Sequence, residues 1–361
     1  MQRNDEPVYY GDYLELDKIL NAQQLKSAEY GKKAHDETLF IIVHQVYELW
    51  FKQILHELNS ILSIFSQEKV EEREMGTINQ RLGRIIEIQR VLQEQFSVIE
   101  TMTPLDFLDF RDYLVPASGF QSIQFRSIEI KLGLRMNQRV QFDQSSFINR
   151  LSEDDKKYLL AVEGSPSLLD FLEKWLERLP FLEFGEFKFW KLYKEAVESM
   201  LITDREIVNN RTQLTDGEKQ KQLIELDVTE QSFNSILDEG LFAELKESNV
   251  VKLSQKAFLS ALFISLYRDE PALNAPYKLI QNLIDIDENF TNWRHRHALL
   301  AHRMLGTKIG TGGSSGHEYL KSTTSNNRIF LDFFNLSTFL IPRSSLPELP
   351  KKVREKLNFS F

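Results

Sequence analysis

One run of residues limits this chain more than any other. From Leu39 to Phe51 it reads Leu-Phe-Ile-Ile-Val-His-Gln-Val-Tyr-Glu-Leu-Trp-Phe, interrupted only by His44, Gln45 and Glu48. That is long for a strand, where about 5–6 residues is usual. It is also too short and too polar for a bilayer span, which needs about 20 apolar residues. What remains is a helix inside a protein core. Asp36 is placed to cap it, and the pattern carries it through Thr38 to about Phe65. Its first half is apolar on nearly all sides, so that half is expected to be deeply buried. Elsewhere only 15 Gly and 10 Pro punctuate 361 residues, and alternating strand patterns are scarce. The expectation is an all-α fold, a helical bundle.

A second long helix is expected from about Ile78 to Met102, with Arg81, Arg84, Glu87 and Arg90 on one side. Thr103-Pro104 stops it and starts a short helix near Leu105 to Asp112. The loop Val115 to Gly119 follows, then a helix mixing Phe120, Gln121, Gln124, Phe125, Arg126 and Glu129. From about 147 to 249 charge density rises, as in Arg150 to Lys157 and Thr215 to Lys221. This stretch reads as a small peripheral helical excursion inserted in a single domain, 1–361. Core-like texture returns at Phe258 to Arg268. Pro271 and Pro276 are expected to bound a turn before a helix from about Tyr277 to Leu305, with a break near Glu288 to Thr291. No internal repeat or low-complexity tract is found.

Charge and composition exclude several functions. With 44 Lys+Arg against 53 Asp+Glu the net charge is −9, which argues against nucleic acid as the main partner. The chain has no cysteine, so disulfides, thiolate nucleophiles, iron–sulfur clusters and cysteine-ligated zinc or heme are excluded. That fits a reducing, cytoplasmic setting. Met1 to Pro7 is polar and acidic and does not read as a secretory signal. No stretch of 18 apolar residues exists, so no membrane span is expected.

Among the seven histidines the spacing does not suit a shared metal. None has a Glu three residues before it, and His56-Glu57 is not followed by a matching histidine. His295 and His297 point in different directions on a helix. A single axial histidine on a heme iron needs no such spacing and stays open. His297 is the better candidate, because Trp293, His297, Leu300 and Met304 share one helix face. The pattern alone favours a core histidine there. His302 reads as a structural or surface residue. His44 shares a face with Phe40, Tyr47 and Phe51, and a buried imidazole needs a partner, from the core or from a ligand.

Arg111 follows Phe107 by four residues, so an aromatic wall and a guanidinium can line one pocket. Such a fork clamps a carboxylate, although a structural ion pair is as good a reading. The run Gly310-Thr311-Gly312-Gly313-Ser314-Ser315-Gly316 carries a high folding entropy cost. It contains Gly-x-Ser-x-Gly, but a helix precedes it where a nucleophile elbow needs a strand. A lid with Thr311 as a polar contact, or a mobile surface loop, remains.

Taken together, these segments resemble the tryptophan 2,3-dioxygenase family. The likeness runs through Tyr10-Gly11-Asp12-Tyr13, His35-Asp36-Glu37, Leu39 to Lys52, Asp109-Phe110-Arg111, Pro116 to Ser122, His302 to Gly306, Gly310 to Gly316 and Asn335-Leu336-Ser337. The blocks keep family order over nearly the whole chain, with about 147–249 matching loosely. The resemblance implies the all-helical heme dioxygenase fold, with one heme b per subunit, ferrous when active, usually in a homotetramer. It also implies insertion of both atoms of O2 across the indole C2–C3 bond of L-tryptophan. The product is N-formyl-L-kynurenine, in the first step of tryptophan catabolism by the kynurenine pathway.

Carried over by position, the resemblance makes His297 the proximal heme ligand and His44 the distal partner of the indole N–H. Phe40 and Phe107 become pocket walls, Arg111 the carboxylate clamp and Thr311 the contact to the ammonium and carboxylate end. Ser118 and Gly119 fall near the heme and dioxygen. Tyr10 and Tyr13 belong to a segment that in the family reaches a neighbouring subunit's site. Some members have tyrosine where this chain has Phe107, which removes one hydrogen bond to the substrate carboxylate. A related dioxygenase for another indole, or a non-catalytic helical scaffold, is the alternative.

Overall fold

The computed structural model describes residues 6–136, 151–179, 183–184, 187–306 and 316–358. Its main helices are α1 (Glu37–Phe65), α2 (Glu72–Glu94), α3 (Pro104–Arg111), α4 (Ile123–Leu132), α5 (Leu168–Leu176), α6 (Phe189–Asn210), α7 (Asp216–Leu237), α8 (Gln255–Leu266), α9 (Pro271–Leu305) and α10 (Gly316–Asn326). The fold is all-α. Among the described residues its one departure is an antiparallel pair of two-residue strands, Glu183–Phe184 with Phe187–Lys188. No described helix is long and apolar enough to cross a membrane.

In α1 the buried residues Val43, Tyr47, Phe51, Ile54, Leu58, Ile61 and Phe65 form one stripe at three- and four-residue steps. The opposite side is open: Ile42 is 43% exposed and Leu49 51%. The expected deep burial of the first half is therefore corrected. In one chain this helix packs on a single side, against α2 and α4. Asp36 holds the N-cap position, but its side chain makes no capping bond. Glu37 instead caps a neighbour, accepting from the N–H of Lys26 at 2.8 Å and of Ser27 at 3.0 Å at the start of the short helix Lys26–Glu29. A carboxylate in the first turn also suits the positive end of the helix.

α2 begins earlier than expected, where Glu71 and Glu74 form a reciprocal capping box. It ends at Glu94, and the short helix Phe96–Ile99 covers most of the rest. Thr103 and Asp106 form a second box that opens α3 at Pro104. The largest correction is α9. Pro271 sits in its first turn and Pro276 lies inside it, so these prolines start the helix and bound no turn. No break occurs near Glu288. The polar residues there are satisfied from outside the helix: Asp287 accepts from Arg328 Nε at 2.9 Å and from the Ile329 N–H at 3.0 Å, and Asn289 Oδ1 accepts from Gln93 Nε2 at 2.9 Å.

α9 packs along α2 and α10, and these helices with α1 and α4 frame the interior. Leu168, Leu172 and Leu176 of α5 and Phe189, Tyr193, Val197 and Leu201 of α6 join the same buried cluster. Phe189 lies edge-on to Phe263 of α8, ring centroids 4.9 Å apart. α7 packs back along α6.

Candidate active site

The helices enclose a cavity of about 260 Å³. α1 contributes Phe40, His44, Tyr47 and Phe51; α9 contributes Trp293, His297, Leu300 and Met304. Phe107 of α3 and Ser118, Gly119 and Phe125 close one side, and Leu320, Thr323 and Asn327 another. Two helix stripes read as core from the sequence thus face one another across open space.

His44 is oriented by its own helix. Its Nδ1 lies 2.7 Å from the Phe40 carbonyl oxygen. A carbonyl only accepts, so Nδ1 carries the proton and donates, leaving Nε2 with a lone pair. Burial lowers the His44 pKa; the Phe40 carbonyl and the Glu48 carboxylate oppose that shift. The Phe40 ring lies 4.1 Å from the imidazole and 5.7 Å from Phe107. Phe110, fully buried, backs both phenyl rings. His297 is pushed down to about 4, first by burial and then by the His44 imidazole. Trp293 packs against it with ring centroids 5.1 Å apart. His297 is therefore uncharged at neutral pH, the form in which imidazole offers a lone pair, and the shift on His44 runs in the same direction.

The other expected site residues fall in different places. Ser118 and Gly119 line the cavity. The Ser118 N–H donates to Gln121 Oε1 at 3.1 Å, and a Cβ built on Gly119 would meet nothing within 4 Å. The chain itself therefore does not require glycine at 119. Arg111 sits one turn after Phe107 with its side chain 15% exposed, near Asp112 at 4.0 Å, beside the lining residues and not among them. Tyr10 and Tyr13 are each 75% exposed, and neither lines this chain's cavity. Thr311 and the glycine run before Gly316 lie outside the described residues.

Sequence reasoning missed a charged junction in the wall. Glu129 accepts from Arg126 Nη1 at 3.0 Å and from Arg294 Nη2 at 2.8 Å, and all three line the cavity. Arg126 and Glu129 at i, i+3 in a largely buried helix were the available signal. It also missed Glu48, which lines the cavity and accepts from Gln124 Nε2 at 2.8 Å.

Fold and site together define an all-helical protein built around a largely apolar cavity with an imidazole on each of two walls. The comparisons narrow that class. A family model described as tryptophan 2,3-dioxygenase matches residues 2–340. The chain is 53% identical to a tryptophan 2,3-dioxygenase of Alteromonas mediterranea over 99% of both chains. It is 54% identical to that of Bdellovibrio bacteriovorus over 98% of this chain and 99% of the relative. It is 47% identical to that of Dictyostelium discoideum over 100% of this chain and 90% of the relative. The chain belongs to the tryptophan 2,3-dioxygenase family.

Proposed function

We propose that this protein is a heme-dependent dioxygenase that converts L-tryptophan and O2 to N-formyl-L-kynurenine. The observation that carries the reading is the pair of imidazoles, His44 and His297, that line one largely apolar cavity in a chain of this family. The donor set fits a heme. Among the described residues no group of three His, Asp or Glu could hold a bare metal ion. One neutral imidazole in apolar surroundings suits an iron already held by a porphyrin. The open space beside Gly119 leaves room for a flat group to approach the backbone.

His297 would hold the iron. Bound ferrous heme supplies the dioxygen chemistry. The protein's own part is to orient and to exclude water. His44 Nε2 accepts the indole N–H, because the Phe40 carbonyl holds the ring proton on Nδ1. Phe40 and Phe107 form the walls against the indole. Arg111 clamps the carboxylate, with Thr311 at the amino-acid end. Fixing both ends brings indole C2 and C3 to one place in the cavity. Ser118 and Gly119 border the space for heme and dioxygen. Tyr10 and Tyr13 complete a neighbouring subunit's site in a homotetramer, which accounts for their exposure in a single chain. The enzyme works in the cytoplasm.

The test is turnover by hemin-loaded, reduced protein, following N-formyl-L-kynurenine. Arg111→Ala should raise KM for L-tryptophan by the equivalent of about 2–4 kcal/mol if the carboxylate is desolvated. Tryptamine, which lacks the carboxylate, should not distinguish the variant from the wild type. No product from the wild type overturns the activity; an unchanged KM overturns the clamp.

A further inference from the structure

We infer that Arg294 is a positioning residue for the His297 imidazole, and that its junction with Glu129 and Asn327 sets how firmly the cavity holds its cofactor. The inference rests on the heme reading above. Arg294 stands three residues before His297 on α9, so the two neighbour each other on the helix surface. It is only 2% exposed. Its Nη2 donates to Glu129 Oε1 at 2.8 Å, and its Nη1 donates to the Asn327 carbonyl at 3.0 Å. Glu129 is 1% exposed and accepts from Arg126 as well.

These bonds join three segments, and each segment is a wall of the cavity. α9 brings Trp293 and His297, α4 brings Phe125, and α10 with its exit brings Leu320, Thr323 and Asn327. The freedom left to a packed helix is rotation and sliding about its own axis. Apolar contacts resist that weakly, because hydrophobic attraction has no direction. Charge-assisted hydrogen bonds in a dry interior resist it strongly. A second brace near His297 is Arg296, whose Nη1 donates to the Gln93 carbonyl at 2.7 Å. Its carboxylate partner, Glu100, is 3.3 Å away in a pair with both side chains about one-third exposed, where solvent weakens the attraction. Arg294 is therefore the firmer of these two ties. A planar guanidinium holds two acceptors at once, which a lysine ammonium on a flexible stem does poorly.

Two readouts on hemin-loaded protein test this: the rate of hemin transfer to excess apomyoglobin, and the ferrous iron–histidine stretching band by resonance Raman. Arg294→Lys should release hemin at least about tenfold faster and shift or broaden the band. Glu129→Gln should move both readouts in the same direction by less. A purely structural role would lower the melting temperature and leave band and transfer rate at their wild-type values; that result overturns the inference. If Arg294→Lys fails to fold, Glu129→Gln decides by the same two measurements. A wild type that takes up no hemin overturns the heme reading and this inference with it. A normally loaded wild type with indistinguishable variants overturns this inference alone.

Discussion

The cavity walls and the α6–α7 hairpin treat charge in opposite ways. Around the cavity, Glu129 and Arg294 are buried and bind each other across elements, and Arg294 also binds the Asn327 carbonyl. On the hairpin, Arg205 reaches across to Asp227 at 2.8 Å and Glu230 at 2.7 Å, pairs that lie largely in solvent. The apolar residues differ too. Ile202, Ile207, Ile224 and Val228 are each between 47% and 57% exposed, whereas those of α8 are nearly all buried. The contrast teaches where geometry is specified. The hairpin lies down on a buried stripe of Phe189, Tyr193, Val197 and Leu201, with the Tyr193 hydroxyl donating to the Phe339 carbonyl, and it buries no charge there. The cavity has to hold particular atoms in place, and there the chain accepts the cost of burying charge.

The largest effect expected from breaking this contrast is at the cavity. His297→Ala should abolish stable hemin binding, read as loss of the Soret band after gel filtration. A normal spectrum would contradict the assignment of His297 as the ligand. A packing pair comes next. Leu262 of α8 is 0% exposed and Ile202 of α6 is 57% exposed. Leu262→Ala should cost about 2–5 kcal/mol in urea unfolding, and Ile202→Ala no more than about 0.5 kcal/mol. Comparable losses would mean that the hairpin is covered in solution or that the core is looser than its burial implies.

The same contrast decides what could be read from the sequence. Helices came from local signals, namely apolar spacing and the Thr103-Pro104 punctuation, and the all-α class followed. The stripes carrying Phe40, His44 and His297 were visible, but not that they face each other across a cavity. Where reading failed, the cause was distant in the chain. A break near Glu288 was expected because Asp287 and its neighbours are polar, and the groups that satisfy Asp287 lie 41 to 43 residues further on. Arg294 finds Glu129 across 165 residues, so no window-based pattern pairs them. Deep burial of the first half of α1 was expected because apolar residues lie on nearly all its sides, and among the described residues nothing covers Ile42 and Leu49.

A smaller effect follows from pH. The His297 imidazole is held near 4 against an ordinary 6.5, mainly by burial. Between those values the unfolded chain binds a proton that the folded chain does not, so stability falls as pH drops below 6.5. The loss is complete by about 4 and amounts to about 1–2 kcal/mol at pH 5. Heme-free wild type taken from pH 7 to pH 5 should therefore lose about 1–2 kcal/mol more than heme-free His297→Ala, measured by urea unfolding. Equal losses would mean that the ring is not buried and uncharged.

The smallest effect belongs to the hairpin's own charges. Arg205 donates to two carboxylates, and its pKa is raised, first by the hydrogen bond to Asp227 and then by that to Glu230. Two short ion pairs on one guanidinium look on paper like the strongest electrostatic tie in this part of the chain. Yet Asp227 and Glu230 are 60% and 42% exposed, so water and salt screen the attraction, and ordering three long side chains offsets much of the rest. Arg205→Ala should then leave the unfolding midpoint almost unchanged, and raising the salt concentration should remove whatever difference remains. Glu129→Gln, which disturbs a junction sealed from solvent, should show little salt dependence. A large, salt-resistant loss in Arg205→Ala would put this junction in the same class as the cavity wall, and the division between the two regions would fail.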